Sequence, residues 1–252
     1  MRRPVMAGNW KLFKTQAQTR DFFGALVSSI ADVEHCDVVV APPYTSLVAA
    51  VDATRGSQVS IAAQDVYWES EGAFTGEVSA PMLADVGCDY AIIGHSERRQ
   101  YFGETDLTVS RKIRAVLRAG LKAIVCVGET LDQRDGGGAE AVVQRQLTGG
   151  LAELTGPDLS HIIVAYEPVW AIGTGKTATP EIAQSMHRVI RDAVSGSFGD
   201  SASDGLRILY GGSVKPANVV KLMAQPDIDG GLVGGASLEA DSFEAIIRFQ
   251  TN

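Results

Sequence analysis

Cysteine is scarce in this chain of 252 residues, and long apolar runs are missing altogether. Cys36, Cys88 and Cys126 are an odd set without CxxC spacing, so no disulfide framework is expected and each reads as a buried, reduced thiol. Histidine is also sparse. His35, His95, His161 and His187 are too scattered to suggest a metal site by spacing, so neither a metal nor a cofactor is expected. No apolar run approaches the roughly 18 residues needed to span a bilayer. Arg2 and Arg3 are not followed by a signal-type apolar region, because Lys11 interrupts before one accumulates. A cytoplasmic location is the expectation. Positive charge is in deficit: 22 Lys and Arg face 30 Asp and Glu, for a net charge of −8. That balance argues against a general affinity for nucleic acid or membrane surfaces. An anionic ligand would need local attraction. No Ser/Pro/Gly-rich linker divides the chain, and one domain over residues 1–252 is expected.

What the chain does contain is a repeated alternation of short β-branched runs and helical stretches. The predicted strands are Val5–Asn9, Asp37–Ala41, Val59–Ala63, Tyr90–Ile93, Lys122–Val127, His161–Tyr166, Arg207–Tyr210 and Gly231–Val233. Several are continuously apolar, as parallel strands covered on both faces should be. Between them, helices are expected at Leu107–Ala119, stopped by Gly120, and at Ile182–Val194, with Thr179 as cap and Pro180 in the first turn. A third is expected at Ala217–Met223, following Pro216. Eight units averaging about 31 residues fit an α/β fold of the (β/α)₈ barrel type. An open doubly wound sheet is the structural alternative. A barrel would place chemistry at the C-terminal ends of its strands.

Three strand ends carry groups that such chemistry uses. Strand one ends at Asn9-Trp10-Lys11, and strand four runs into Gly94-His95-Ser96-Glu97. Strand six ends at Tyr166-Glu167-Pro168, where the preceding apolar run should desolvate Glu167 and raise its basicity. Taken singly, each is a common loop residue. Their joint occurrence at one predicted mouth makes that bland reading much weaker.

Glycine supplies the local attraction. Loops follow strand six (Gly173, Gly175), strand seven (Gly211-Gly212-Ser213) and strand eight (Gly234-Gly235). Such loops offer backbone N–H groups to an oxyanion, and those after strands seven and eight are a frequent phosphate site in barrels. Two tempting motifs fail. A P-loop ending at Gly175-Lys176-Thr177 needs glycine where Trp170 stands, and a nucleophile elbow at Gly211-x-Ser213 needs glycine at Lys215.

With these residues assembled, the sequence resembles the triosephosphate isomerase family over essentially its whole length. The resemblance is carried by AGNWK (Ala7–Lys11), QDV…GAFTGEVS (Gln64–Ser79), IIGHSERR (Ile92–Arg99), CVGET (Cys126–Thr130), AYEPVWAIGTGKTA (Ala165–Ala178), YGGSV (Tyr210–Val214) and VGGASL (Val233–Leu238). It implies cofactor-independent interconversion of dihydroxyacetone phosphate and D-glyceraldehyde 3-phosphate through an enediolate. By resemblance, Glu167 is the base and His95 a neutral electrophile, with Lys11 and Asn9 stabilising developing charge. Gly173, Ser213, Gly234 and Gly235 would hold the phosphate, and Ser96 and Glu97 would support the catalytic groups. Pro168, Val169, Trp170, Ala171, Ile172, Gly173, Thr174, Gly175, Lys176, Thr177 and Ala178 would form a lid that excludes water. The long segment from Asp65 to Glu77, with Tyr67, Trp68 and Phe74, would carry Thr75 into a second subunit beside Asn9 and Lys11. A self-packed loop is the alternative. A Schiff-base aldolase would favour lysine in place of Glu167, and a metal-dependent epimerase would need further His and Asp ligands. A barrel kept only for phosphate binding or adhesion would have little use for intact Asn9, Lys11, His95 and Glu167.

Overall fold

The computed structural model describes residues 2–171 and 178–250. Eight parallel strands close into a barrel in sequence order: β1 Val5–Asn9, β2 Asp37–Ala41, β3 Val59–Ala63, β4 Tyr90–Ile93, β5 Lys122–Val127, β6 Ile162–Tyr166, β7 Arg207–Tyr210 and β8 Gly230–Val233. The ring is sealed where β1 pairs with β8, Val5 opposite Gly230 and Gly8 opposite Val233. The closed barrel replaces the open-sheet alternative. Two predicted strand boundaries shift by one residue. His161 closes a 3₁₀ turn over Gly156–His161 instead of opening β6, and β8 begins at Gly230.

Eleven helices surround the barrel among the described residues: α1 Gln16–Ser29, α2 Leu47–Thr54, α3 Ala80–Val86, α4 Ser96–Tyr101, α5 Asp106–Arg118, α6 Leu131–Asp135, α7 Ala139–Gly150, α8 Pro180–Phe198, α9 Asp200–Gly205, α10 Pro216–Met223 and α11 Ala240–Ile247. Local chemistry fixes their starts. Thr15, Thr105 and Thr130 form capping boxes at α1, α5 and α6, while Thr179 caps α8 ahead of Pro180. None of the described helices is long and apolar enough to cross a membrane.

Strand parity positions the site. Residues alternate between two apolar layers. Val5, Ala7, Ile92, Ile124, Cys126, Ile163, Ala165, Leu209 and Leu232 fill the barrel interior. Met6, Val38, Val40, Ile93, Val125, Val164 and Tyr210 face the helical shell. Two-residue periodicity then carries Asn9 beyond Ala7, and Glu167 beyond Ala165, to the interior side at the C-terminal mouth.

Candidate active site

The mouth is assembled from one end each of β1, β4, β5 and β6. On β1, Asn9 is buried, and Trp10 anchors the strand by donating its indole N–H to the Ser237 carbonyl at 3.0 Å. Lys11 lies in the left-handed region at φ 51°, which costs a non-glycine residue about 1–3 kcal/mol unless neighbours impose it. Two do. Its N–H donates to Asn9 Oδ1 at 3.1 Å, and its carbonyl accepts from Gln64 Nε2 at 2.9 Å. Gln64 simultaneously donates to Ala41 at 2.8 Å, tying the turn to β2. The Lys11 side chain then reaches Glu97 Oε1 at 2.5 Å.

On β4, His95 caps the short helix α4. Its Nδ1 accepts the Glu97 backbone N–H at 3.2 Å, so the ring proton belongs on Nε2, which donates to Glu167 Oε1 at 2.9 Å. The preceding peptide is held from both sides: Gly94 N–H donates to Glu104 Oε2 at 3.1 Å, and Gly94 C=O accepts from Arg99 Nε at 2.9 Å. Glu104 belongs to a buried charge cluster with Arg98, Lys112 and Asp65. Burial pushes Asp65 up to about 6 against the pull of Lys112, whereas Lys112 and Arg98 overcome the same burial at Glu104 and hold its pKa below normal.

On β6, Glu167 is 2 % exposed and fully coordinated. Its Oε2 accepts the Ser96 N–H at 2.9 Å, and its Oε1 accepts from Ser96 Oγ at 3.3 Å as well as from His95. The expectation of raised basicity is corrected here. Burial does push the carboxyl pKa up, but His95, the Ser96 N–H and Lys11 outweigh it and hold the group below its ordinary value. Reciprocally, burial disfavours a charge on His95, and the adjacent Glu167 carboxylate overrides it, raising the imidazole pKa. Glu167 is parked as the acceptor of the His95 and Ser96 hydrogen bonds. A cavity of about 650 Å³ opens beside it, lined by Ser96, Gly128, Thr130, Leu131, Val169 and Trp170 among others.

On β5, Glu129 is fully buried and holds the segment that follows Glu167. Its Oε1 accepts from Tyr166 Oη at 3.0 Å, Trp170 Nε1 at 2.8 Å and Arg134 at 3.0 Å, while its carbonyl accepts the Val169 N–H at 3.1 Å. Sequence reasoning gave Glu129 no role, although it follows an apolar strand just as Glu167 does. Glycines also do more than foreseen. A Cβ on Gly211 would lie 2.9 Å from Glu167 Cγ, and one on Gly128 only 1.7 Å from the Glu167 carbonyl oxygen. Gly211, read from sequence as phosphate-loop glycine, therefore also leaves room for the Glu167 side chain.

The remaining expected residues are distributed as follows. Gly234 is beside Lys11, whose Cε would be 3.8 Å from a Cβ there. Gly235 opens a 3₁₀ turn in which Ser237 and Leu238 donate to the carbonyls of Gly234 and Gly235. Ser213 follows β7, its carbonyl accepting from Asn218 Nδ2 at 2.9 Å. Pro168, Val169, Trp170 and Ala171 start the expected lid, with a 3₁₀ turn over Val169–Ala171, and Ala178 is buried at its other end. Ile172, Gly173, Thr174, Gly175, Lys176 and Thr177 lie outside the described residues. Thr75 is at an exposed loop tip. Tyr67 stacks on Trp68 at 4.1 Å and meets Phe74 at 4.7 Å, so the loop's aromatics pack largely on one another. Among the described residues, no group of three or more His, Cys, Asp or Glu side chains is placed to hold a metal ion.

Comparison with known proteins agrees with this geometry. The family model described as Triosephosphate isomerase matches residues 4–250. A protein of that name from Solibacter usitatus is 57 % identical over 249 residues, covering 99 % of this chain and 100 % of its own. The namesake from Trichlorobacter lovleyi is 55 % identical over 250 residues, with 99 % and 100 % covered, and that from Moorella thermoacetica is 54 % identical over 249 residues, with 99 % of both covered.

Proposed function

The chain belongs to the triosephosphate isomerase family, and from that premise we propose how its own residues perform the interconversion of dihydroxyacetone phosphate and D-glyceraldehyde 3-phosphate. Glu167 is the base. Starting from the ketose, it leaves Ser96 and His95 and takes a proton from carbon 1. The electrons of that C–H bond form the C1–C2 double bond, and the carbonyl π pair moves onto the oxygen of carbon 2. His95 Nε2–H donates to that oxygen, passes its proton there and recovers one from the hydroxyl on carbon 1. Glu167 then returns its proton to carbon 2, completing an aldose with no net loss of atoms or electrons.

The observation that carries this reading is the coordination of His95 and Glu167. The Glu97 N–H at Nδ1 leaves His95 a single donor, Nε2–H, aimed at Glu167. Moving Glu167 onto substrate removes the His95 contact that now lowers its pKa and raises that of His95. Burial then dominates both: the carboxylate becomes more basic, and the imidazole stays neutral. Lys11 balances charge on the enediolate and phosphate, with Asn9 fixing its turn. Backbone N–H groups at Ser213, Gly234 and Gly235, joined by Gly173, would bind the phosphate. The lid closes from the braced hinge Pro168–Trp170 and keeps water from the enediolate. Proton NMR with D-glyceraldehyde 3-phosphate in D₂O and excess EDTA tests the scheme. Rapid formation of dihydroxyacetone phosphate is expected, and Glu167→Ala should leave only a small residual rate; full activity in that variant rejects the base assignment.

The same reading includes a homodimer. Support comes from exposed apolar side chains: Leu12 is 94 % exposed directly after Lys11, and Phe13, Phe74, Met82, Tyr101 and Phe102 are exposed as well. A second copy inserting its Thr75 tip beside Asn9 and Lys11 would cover such a surface. Thr75→Arg should sediment as a poorly active monomer, and an active dimer overturns the pairing.

A further inference from the structure

One buried amide has no part in the chemistry above, yet touches the backbone that supports it. Gln146, 6 % exposed on α7, reaches the end of β5 and brackets a single residue. Its Oε1 accepts the Gly128 N–H at 2.7 Å, and its Nε2 donates to the Gly128 C=O at 3.1 Å. The β5–β6 ladder ends at Val127 opposite Tyr166, so Gln146 supplies the pairing that a neighbouring strand would otherwise provide. On one side of Gly128, Val127 C=O accepts the Glu167 N–H at 2.8 Å; on the other, Glu129 accepts Val169 N–H and holds Trp170. Gly128 itself is pressed so closely on the Glu167 carbonyl that no side chain fits between them. A displacement of the Gly128 peptide must therefore move Glu167 or the hinge.

We propose that Gln146 is a positioning residue for the general base, setting the Glu167 backbone and the first lid hinge through its two hydrogen bonds to Gly128. The inference rests on the reading of Glu167 as base. Losing the clamp leaves two backbone groups to find new partners, and a shift of the order of 1 Å in a reacting group can cost about a hundredfold in rate. The effect should fall on kcat, because Lys11 and the loops after β7 and β8 are held by other contacts.

The test is a double-mutant cycle with Gln146→Met, which keeps volume but removes both hydrogen bonds, and Glu167→Ala. Gln146→Met should lower kcat about 10- to 100-fold with KM within about threefold, and cause under about twofold further loss in the Glu167→Ala background. A kcat within about twofold of the parent, or an equal loss in both backgrounds, overturns the proposal. Full activity in Glu167→Ala alone instead sinks the base assignment, so the two failures are distinguishable. Should Gln146→Met not fold, Gln146→Glu keeps the acceptor for Gly128 N–H but loses the donor on ionisation. Burial at this position raises the pKa of the introduced carboxyl above its ordinary range, so the variant's kcat relative to the parent should fall as pH rises from about 5 to about 8, and a flat ratio overturns the proposal.

Discussion

Both ends of the barrel bury charge, but they partner it differently. At the N-terminal end, Arg191 on α8 binds Asp227 at 2.6 Å and Asp229 at 2.9 Å, and also donates to the carbonyls of Ser203 and Leu206. Asp229 further accepts from Arg2 at 2.6 Å and from the Ile208 N–H at 2.9 Å. Every contact there ties one chain segment to another: the entries to β1, β7 and β8 are joined through one guanidinium. At the C-terminal mouth, Glu167 is held by His95 and Ser96, and Lys11 by Glu97, in pairs that the proposed mechanism exchanges for substrate hydroxyl, carbonyl and phosphate groups. Buried charge builds scaffold where its partners are permanent and chemistry where they are replaceable.

Three measurements press on that contrast. The largest effect should come from Arg191→Ala, which strands Asp227 and Asp229 in a buried setting. A loss of about 3–5 kcal/mol in denaturant stability is expected, with kcat of the folded enzyme within about twofold. A matching collapse of kcat would erase the separation between the two ends.

The next effect is pH-dependent. His187 is fully buried, donates Nδ1–H to the Asp227 carbonyl at 3.0 Å and sits edge-on to the Tyr166 ring. Burial lowers its pKa from 6.5 to about 4. Below pH 6.5 the unfolded chain protonates this group while the folded chain resists, so stability falls as pH drops from about 6.5 to about 4. The full contribution is about 3 kcal/mol. His187→Gln should flatten that part of the stability–pH curve measured by urea titration, and an unchanged slope would assign the acid sensitivity elsewhere. The smallest effect belongs to Gln64→Ala at the mouth. Freeing the Lys11 carbonyl removes a hydrogen bond of about 1 kcal/mol, so kcat/KM should drop about five- to tenfold with little change in stability. A stability loss larger than the activity loss would make the Lys11 turn part of the scaffold.

Six of the eight strands were legible to the residue, because β-branched runs and turn residues mark their limits locally. His161 misled because it continues the polar edge of an apolar run, yet the Gly156–His161 turn claims it. The residues at strand ends were also legible, since the barrel rule converts a linear position into a place at the mouth. Partners were not. Ser96 acts on Glu167 through a backbone N–H, which residue type does not encode, and it joins His95, the larger influence, in holding the Glu167 pKa below its ordinary value. Gln146 looks like any polar position on an amphipathic helix, and its target is 18 residues away. Glu129 could have been found by the rule applied to Glu167, a carboxylate just past an apolar strand.

The β1–β8 seam carries a consequence for biosynthesis. Val5 and Gly230 are paired neighbours, but the ribosome makes one some 225 residues after the other, which at about 5–20 residues per second is roughly 10–50 s. Through that interval β1 has no partner on one side, and Lys11 has no Gly234 beside it. The nascent polypeptide therefore cannot possess the proposed phosphate site in complete form. Competence arrives in a single late event, when the last strand emerges and the ring shuts.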